Sequence, residues 1–257
     1  MKKLLRGFLR IVMILVILLV IGFVFAYATM NEDAPVGEKG PKAEKLADNM
    51  LAAINHEGWK QTNYISWSFP GGHYYVWDRV NDMVEVKWGD NTAIIPTKQP
   101  DLGIALQGGK TVENPDAVKK AWAYFCNDSF WLIAPHKVKD PGVERSIVTM
   151  DNGSEALMVH YTSGGTTPGD KYLWILDDNF VPTSYKMWVS IIPIGGLEAT
   201  WEGWITLPSG GKVSATHSLA GILTTDLSPV KSGSSLQDIG LAEDYFTGRM
   251  QISIDGK

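Results

Sequence analysis

Asp78, Asp128, Asp170 and Glu202 are the side chains of this sequence best suited to acid-base hydrolysis, a reaction that places two carboxyl groups on either side of the bond being cut. They are scattered along the chain, so folding alone decides whether two of them meet. His56, His73, His136, His160 and His217 never recur at the i, i+4 spacing with which one helix face holds zinc. Gly108-Gly109-Lys110-Thr111 has the ending of a phosphate-binding loop. The leading glycine of that motif would fall at position 104, which is Ile104, with Gly103 one residue out of register, so the segment reads as a surface turn. The nucleophile elbow Gly-x-Ser-x-Gly is absent. Cys126, between Phe125 and Asn127, reads as a small buried apolar residue. No metal, cofactor or catalytic set is therefore assigned, and paired-carboxylate hydrolysis is the weakest of three functional expectations.

Aromatic side chains are the stronger signal. The chain carries 10 Trp, 9 Tyr and 8 Phe. Large flat side chains can fill a core, or they can line a cavity of lipid size; for the second use the candidates are Trp67, Trp77, Trp88, Trp131, Trp188, Trp201 and Trp204. Such a cavity requires no reactive residue.

These residues must be positioned by a mixed set of elements. Pro41 opens a helix expected over 42 to 56, with Ala47, Met50, Leu51 and Ile54 on one face and Gly58 as its stop. The period then changes to two at Tyr64–Phe69, Pro70-Gly71-Gly72 makes a turn, and Met83–Trp88 alternates again. Asn114 as N-cap and Pro115 at the first helical position begin a second helix reaching about Phe125, with a broken continuation to Ala134. Strands follow near 145–150, 155–161, 171–177, 183–192, 198–207 and 212–219, joined by turn sequences such as Asp151-Asn152-Gly153 and Ser209-Gly210-Gly211. Residues 235 to 246 read as a loosely packed closing helical stretch. The fold class expected is α+β: one strongly curved antiparallel sheet, an unclosed half-barrel, covered by helices.

Residues 11 to 28 are an unbroken apolar run behind Lys2, Lys3, Arg6 and Arg10. At about 1.5 Å per residue the run covers roughly 27 Å, near the thickness of a bilayer's hydrocarbon, and its basic flank prefers the cytoplasmic side. Ala26-Tyr27-Ala28 also has the form of a signal-peptidase site, so two outcomes stand side by side. Either the helix anchors the protein in the inner membrane with its domain in the periplasm or outside, or cleavage near Ala28 releases the domain. The expected division is a membrane segment at 1–30, a linker at 31–40 acting as a polar tether, and one extracytoplasmic domain at 41–257. Without the first ten residues the net charge falls from -5 to about minus nine, which disfavours a nucleic-acid partner. One cysteine in the chain allows no internal disulfide.

Three stretches carry a resemblance: Phe125-Cys126-Asn127-Asp128-Ser129-Phe130-Trp131-Leu132-Ile133-Ala134-Pro135, Thr167-Pro168-Gly169-Asp170-Lys171-Tyr172-Leu173-Trp174, and Thr200-Trp201-Glu202-Gly203-Trp204. They look like an uncharacterised family of exported bacterial proteins whose order of elements resembles the LolA-like lipoprotein-carrier fold. The resemblance implies an unclosed barrel whose concave apolar face receives acyl chains beneath its helices. Within the motifs, Pro168, Gly169 and Asp170 read as a turn into a strand, and Asn127 and Asp128 as a break and re-capping of the insert helix. The leading expectation is a non-catalytic binder of a lipid or lipoprotein acyl chain. The second is an assembly module that docks on a protein partner of the cell envelope.

Overall fold

The computed structural model describes residues 2–164 and 167–247. Helix α1 spans Lys2–Met30 and is long and apolar enough to cross a membrane. Helix α2, Pro41–Ala53, starts at the proline as expected, but a second short helix, α3 at His56–Lys60, replaces the stop at Gly58. The division falls at Asn55, whose left-handed backbone (φ 49°) turns the chain while its side chain accepts from the Gly58 amide at 3.1 Å. Gly58 is needed for close approach instead: a Cβ there would lie 2.5 Å from the Gly211 amide nitrogen.

Six strands follow in hairpin succession: β1 Tyr64–Phe69, β2 His73–Asp78, β3 Met83–Trp88, β4 Asn91–Pro96, β5 Ile104–Gln107 and β6 Lys110–Val112. Gly108 and Gly109, both at positive φ, turn β5 into β6, so the Gly-Gly-Lys-Thr segment is a hairpin turn. Helix α4 then runs over Pro115–Ile133, with the Asn114 side chain accepting from the Ala117 amide at 3.0 Å. Beyond it come β7 Val143–Thr149, β8 Glu155–Tyr161, β9 Lys171–Leu176, β10 Pro182–Trp188, β11 Leu197–Thr200, β12 Glu202–Thr206, β13 Lys212–Leu219, β14 Leu223–Asp226 and β15 Lys231–Gly233.

Two large antiparallel sheets form in place of the single one expected. One has the order β15-β1-β2-β3-β4-β5-β6 and the other β12-β13-β11-β10-β9-β8-β7, with β14 on β13. The meander is interrupted because α4 and a following 3-10 turn at Ala134–Lys137 separate β6 from β7 by far more chain than a hairpin uses. β15 closes back onto β1, a return with no short-range signal in the sequence.

The larger core joins both sheets. Trp67, Tyr75, Val84 and Ile95 meet Ala121, Phe125 and Leu132 of α4 and Val213 and Ala215 of β13. A second core packs Ala47 and Met50 of α2 and its C-cap residue Ile54 on Leu157, Trp174, Tyr185 and Trp201. The closing segment is firmly packed, with Leu236, Ile239 and Phe246 buried against Val76, Ile94 and Leu106 on the outer face of the first sheet. The 31–40 segment is not a free tether. The Glu32 amide donates to the Gly195 carbonyl at 3.0 Å, and Glu38 pairs with Ile147 beside the edge strand β7, so backbone groups that a linker would leave in water are bonded to the sheet.

Helix α4 depends on its cap. Asn114→Ala is expected to lower the unfolding free energy by about 1 kcal/mol in urea titration, and an unchanged midpoint would show that the Ala117 amide finds another acceptor.

Candidate functional site

Asp128 lies in the middle of α4, only 2% exposed, and the helix runs through it unbroken. The expected break and re-capping at Asn127-Asp128 is thus overturned, because the carboxyl group is satisfied from outside the helix. It accepts from His73 Nδ1 at 2.6 Å and from the Tyr75 hydroxyl, both on β2, and from the Asn127 amide at 2.8 Å. Burial beside that carboxyl raises the Tyr75 hydroxyl pKa far above its ordinary value, so the phenol stays a donor. The clamp ties α4 to the first sheet, and α4 also packs on β3, β4, β5 and β13.

Across the helix from the clamp, Phe130 packs on Tyr161 and Tyr172 and Trp131 packs on Tyr185 of the second sheet. A cavity of about 610 Å³ lies there, walled by Ala123, Phe130 and Trp131 of α4 and by Tyr172, Tyr185 and Met187 of β9 and β10. Its volume falls within the range of roughly 300–1,000 Å³ that small-molecule sites occupy. Strand alternation sends Tyr172 and Trp174 of β9, and Tyr185 and Met187 of β10, to one face, and α2 covers that face beside Trp174. Tyr161, at the end of β8, lines the cavity with a hydroxyl that has no hydrogen-bond partner among the described residues.

Of the seven candidate tryptophans, Trp77 and Trp131 line this cavity, and Trp122, which the sequence reading did not single out, joins them. Trp67 is buried and stacked on Tyr75, with ring centroids 4.7 Å apart, and Trp201 packs on Trp174 in the second core, with Trp204 against it. Trp88 lies edge-on to Tyr124, and Trp188 sits by the outer-face cluster with its indole donating to the Glu32 carbonyl. Cys126 also lines the cavity, its thiol pushed up to about 11 by burial, so it is held as the unreactive thiol.

The four carboxylates considered for hydrolysis share no hydrogen-bond partner. Asp78 receives the Val80 and Asn81 amides of its own turn, Asp170 receives the Ser190 amide at 2.9 Å, and the Glu202 side chain is exposed. Asp170 thus ties the turn after Pro168-Gly169 to the loop that leaves β10, while it also borders the cavity.

Next to the cavity is a smaller polar pocket of about 310 Å³, which shares Trp77, Ile133, Lys137 and Asp140 with it. His56 and His136, 80 positions apart, stack here with their Nδ1 atoms 3.2 Å apart. His136 Nε2 donates to the Lys212 carbonyl at 2.8 Å, which leaves its Nδ1 to accept from His56. Arg79 covers the Trp59 ring at 4.0 Å and donates through Nη1 to the Trp59 and Thr62 carbonyls at 2.6 Å each. Burial holds the guanidinium at about 10. Among the described residues no group of three or more His, Cys, Asp or Glu side chains could hold a metal ion.

No family model matches the chain, and no curated protein matches it. Among solved structures it is similar to a DUF1329 family protein from Desulfovibrio piger, with 7% sequence identity and a TM-score of 0.40 over 79% of this chain and 96% of that one.

Burial drives the His136 pKa down to about 3 from its ordinary 6.5, and burial together with Lys60 lowers His56 in the same direction. Both folded-state values are depressed, so this stabilisation is complete above pH 6.5 and is lost as the pH falls below it, where only the unfolded chain takes up the proton. Between pH 7.5 and 5.5 the native chain should lose about 1 kcal/mol more stability than His136→Gln in paired urea titrations. Parallel pH profiles would show that His136 is protonated in the folded state.

Proposed function

We propose that this chain is a membrane-anchored extracytoplasmic protein that binds the acyl chain of a lipid or lipoprotein without catalysing a reaction, a LolA-like carrier held at the membrane by α1. The cavity between α4 and the second sheet carries this reading. Its walls are mainly apolar, and its aromatic and methionine side chains suit a flexible hydrocarbon chain better than a polar substrate. Each methylene taken from water contributes about 0.8 kcal/mol, so a dozen would supply roughly 10 kcal/mol before the loss of chain and translational freedom. The 25-residue span Arg6–Met30 supports the anchoring part, with Lys2, Lys3, Arg6 and Arg10 at its N-terminal end favouring the cytoplasmic side.

The reading is tested by native mass spectrometry of the full chain, purified in detergent from cells that make it, followed by lipid extraction. A stoichiometric lipid is expected on the native protein and should be lost from Ala123→Trp, which fills the cavity from an exposed position of α4 without disturbing either core. A lipid-free mass for the native chain would overturn acyl binding and favour an envelope module that docks on a protein partner.

A further inference from the structure

The direction in which the cavity opens follows from the strand register and from the residues just after α1. Trp188 at the end of β10 stands opposite Lys171 at the start of β9, Val143 at the start of β7 stands opposite Tyr161 at the end of β8, and Met187 stands opposite Leu197 at the start of β11. These termini therefore share one end of the second sheet. From that end come the cavity residues Val143, Tyr161, Thr167, Asp170, Val189 and Ile191. Ile191 lines the cavity and is itself 68% exposed, so the cavity reaches the surface there.

The same end receives α1. Asn31 and Glu32, directly after the last helical residue, are bonded into the β10–β11 loop: the Gly195 amide donates to Asn31 Oδ1 at 2.8 Å, Glu32 N donates to the Gly195 carbonyl at 3.0 Å, and Lys186 Nζ reaches Glu32 Oε2 at 2.7 Å. The approach is close enough that a Cβ on Gly195 would lie 2.8 Å from the Glu32 carbonyl oxygen, so these contacts need glycine. The β13–β14 turn is brought to this end as well, because Leu219 pairs with both Ala199 and Leu223. It presents Ile222 at 85% and Leu223 at 60% exposure. Bulky aliphatic side chains thus stand free in water on two loops beside the exit of an apolar helix. They can bury that surface against the bilayer in which the helix sits, as membrane-interface side chains do at a depth of about 5–10 Å.

We propose that the cavity opens onto the membrane surface, with Ile191, Ile222 and Leu223 seated in the lipid interface, so that an acyl chain passes from the bilayer into the protein without crossing water. This rests on the anchoring and acyl-binding reading above. The occupant of the exposed rim is the bilayer because the bonded Asn31 and Glu32 leave no free linker by which the domain could swing away from α1.

The test reconstitutes the full chain, in a Cys126→Ala background, into phosphatidylcholine vesicles containing doxyl-labelled lipid, with an environment-sensitive dye on Ile222→Cys or on Leu223→Cys. Asp178→Cys, in the β9–β10 turn at the opposite end of the sheet, is the control. Quenching by the lipid is expected to be several-fold stronger at 222 and 223 than at 178. Equal, weak quenching at all three positions, on a protein that still carries co-purified lipid, would overturn the orientation and leave acyl binding standing. Strong quenching at 222 and 223 on a protein with no bound lipid would uphold membrane seating and remove the acyl-binding reading on which the passage depends.

Discussion

A carboxyl group removed from water without partners costs several kcal/mol, so Asp128 can occupy the interior of α4 only where His73 and Tyr75 of β2 meet it. That requirement fixes the rotation of the helix. With Asp128 turned toward the first sheet, Ala121 and Phe125 enter the shared core, while Ala123, Asn127 and Phe130 face the second sheet. Helix α4 thereby leans on the first sheet and on β13, while its Phe130 and Trp131 reach Tyr172 and Tyr185 beside the cavity they help to wall.

The second sheet is braced for the same outcome. Helix α2 covers one part of its inner face with Ala47 and Met50, its C-cap Ile54 adds to them, and the helix stops there because Asn55 turns the chain away into α3. Beside α2 the inner face offers Tyr172, Tyr185 and Met187 to the cavity opposite Phe130 and Trp131 of α4. The residues before α2 pass along the sheet to pair with β7, so the chain from the end of α1 to the start of α2 is structural. Helix α1, the second sheet and the cavity are therefore joined through bonded backbone, and the proposed lipid-binding role would inherit a fixed geometry from that continuity.

Local signals were legible wherever a few neighbouring residues decide conformation. Pro41, the Asn114-Pro115 start and the hairpin turns all appear where the sequence places them, since each acts through its own backbone dihedrals or an amide three residues away. What escaped was decided across long separations. The split into two sheets follows from the length of the insert, the continuity of α4 from a partner 55 positions away, and the His56–His136 pair from residues 80 positions apart. Aromatic content announced bulk but not location, because Trp67 and Trp201 fill cores while Trp77 and Trp131 line the cavity. The polar composition of 31–40 suggested solvation, whereas its backbone bonds to the sheet answer to an exposed strand edge that composition does not encode.

Calorimetric titration of single-chain lipids of increasing acyl length into delipidated full-length protein tests the account most directly. Uptake into the cavity predicts a negative heat-capacity change and an affinity that strengthens by up to about 0.8 kcal/mol per added methylene until the cavity is full. Binding that ignores chain length, or no binding at all, would contradict it.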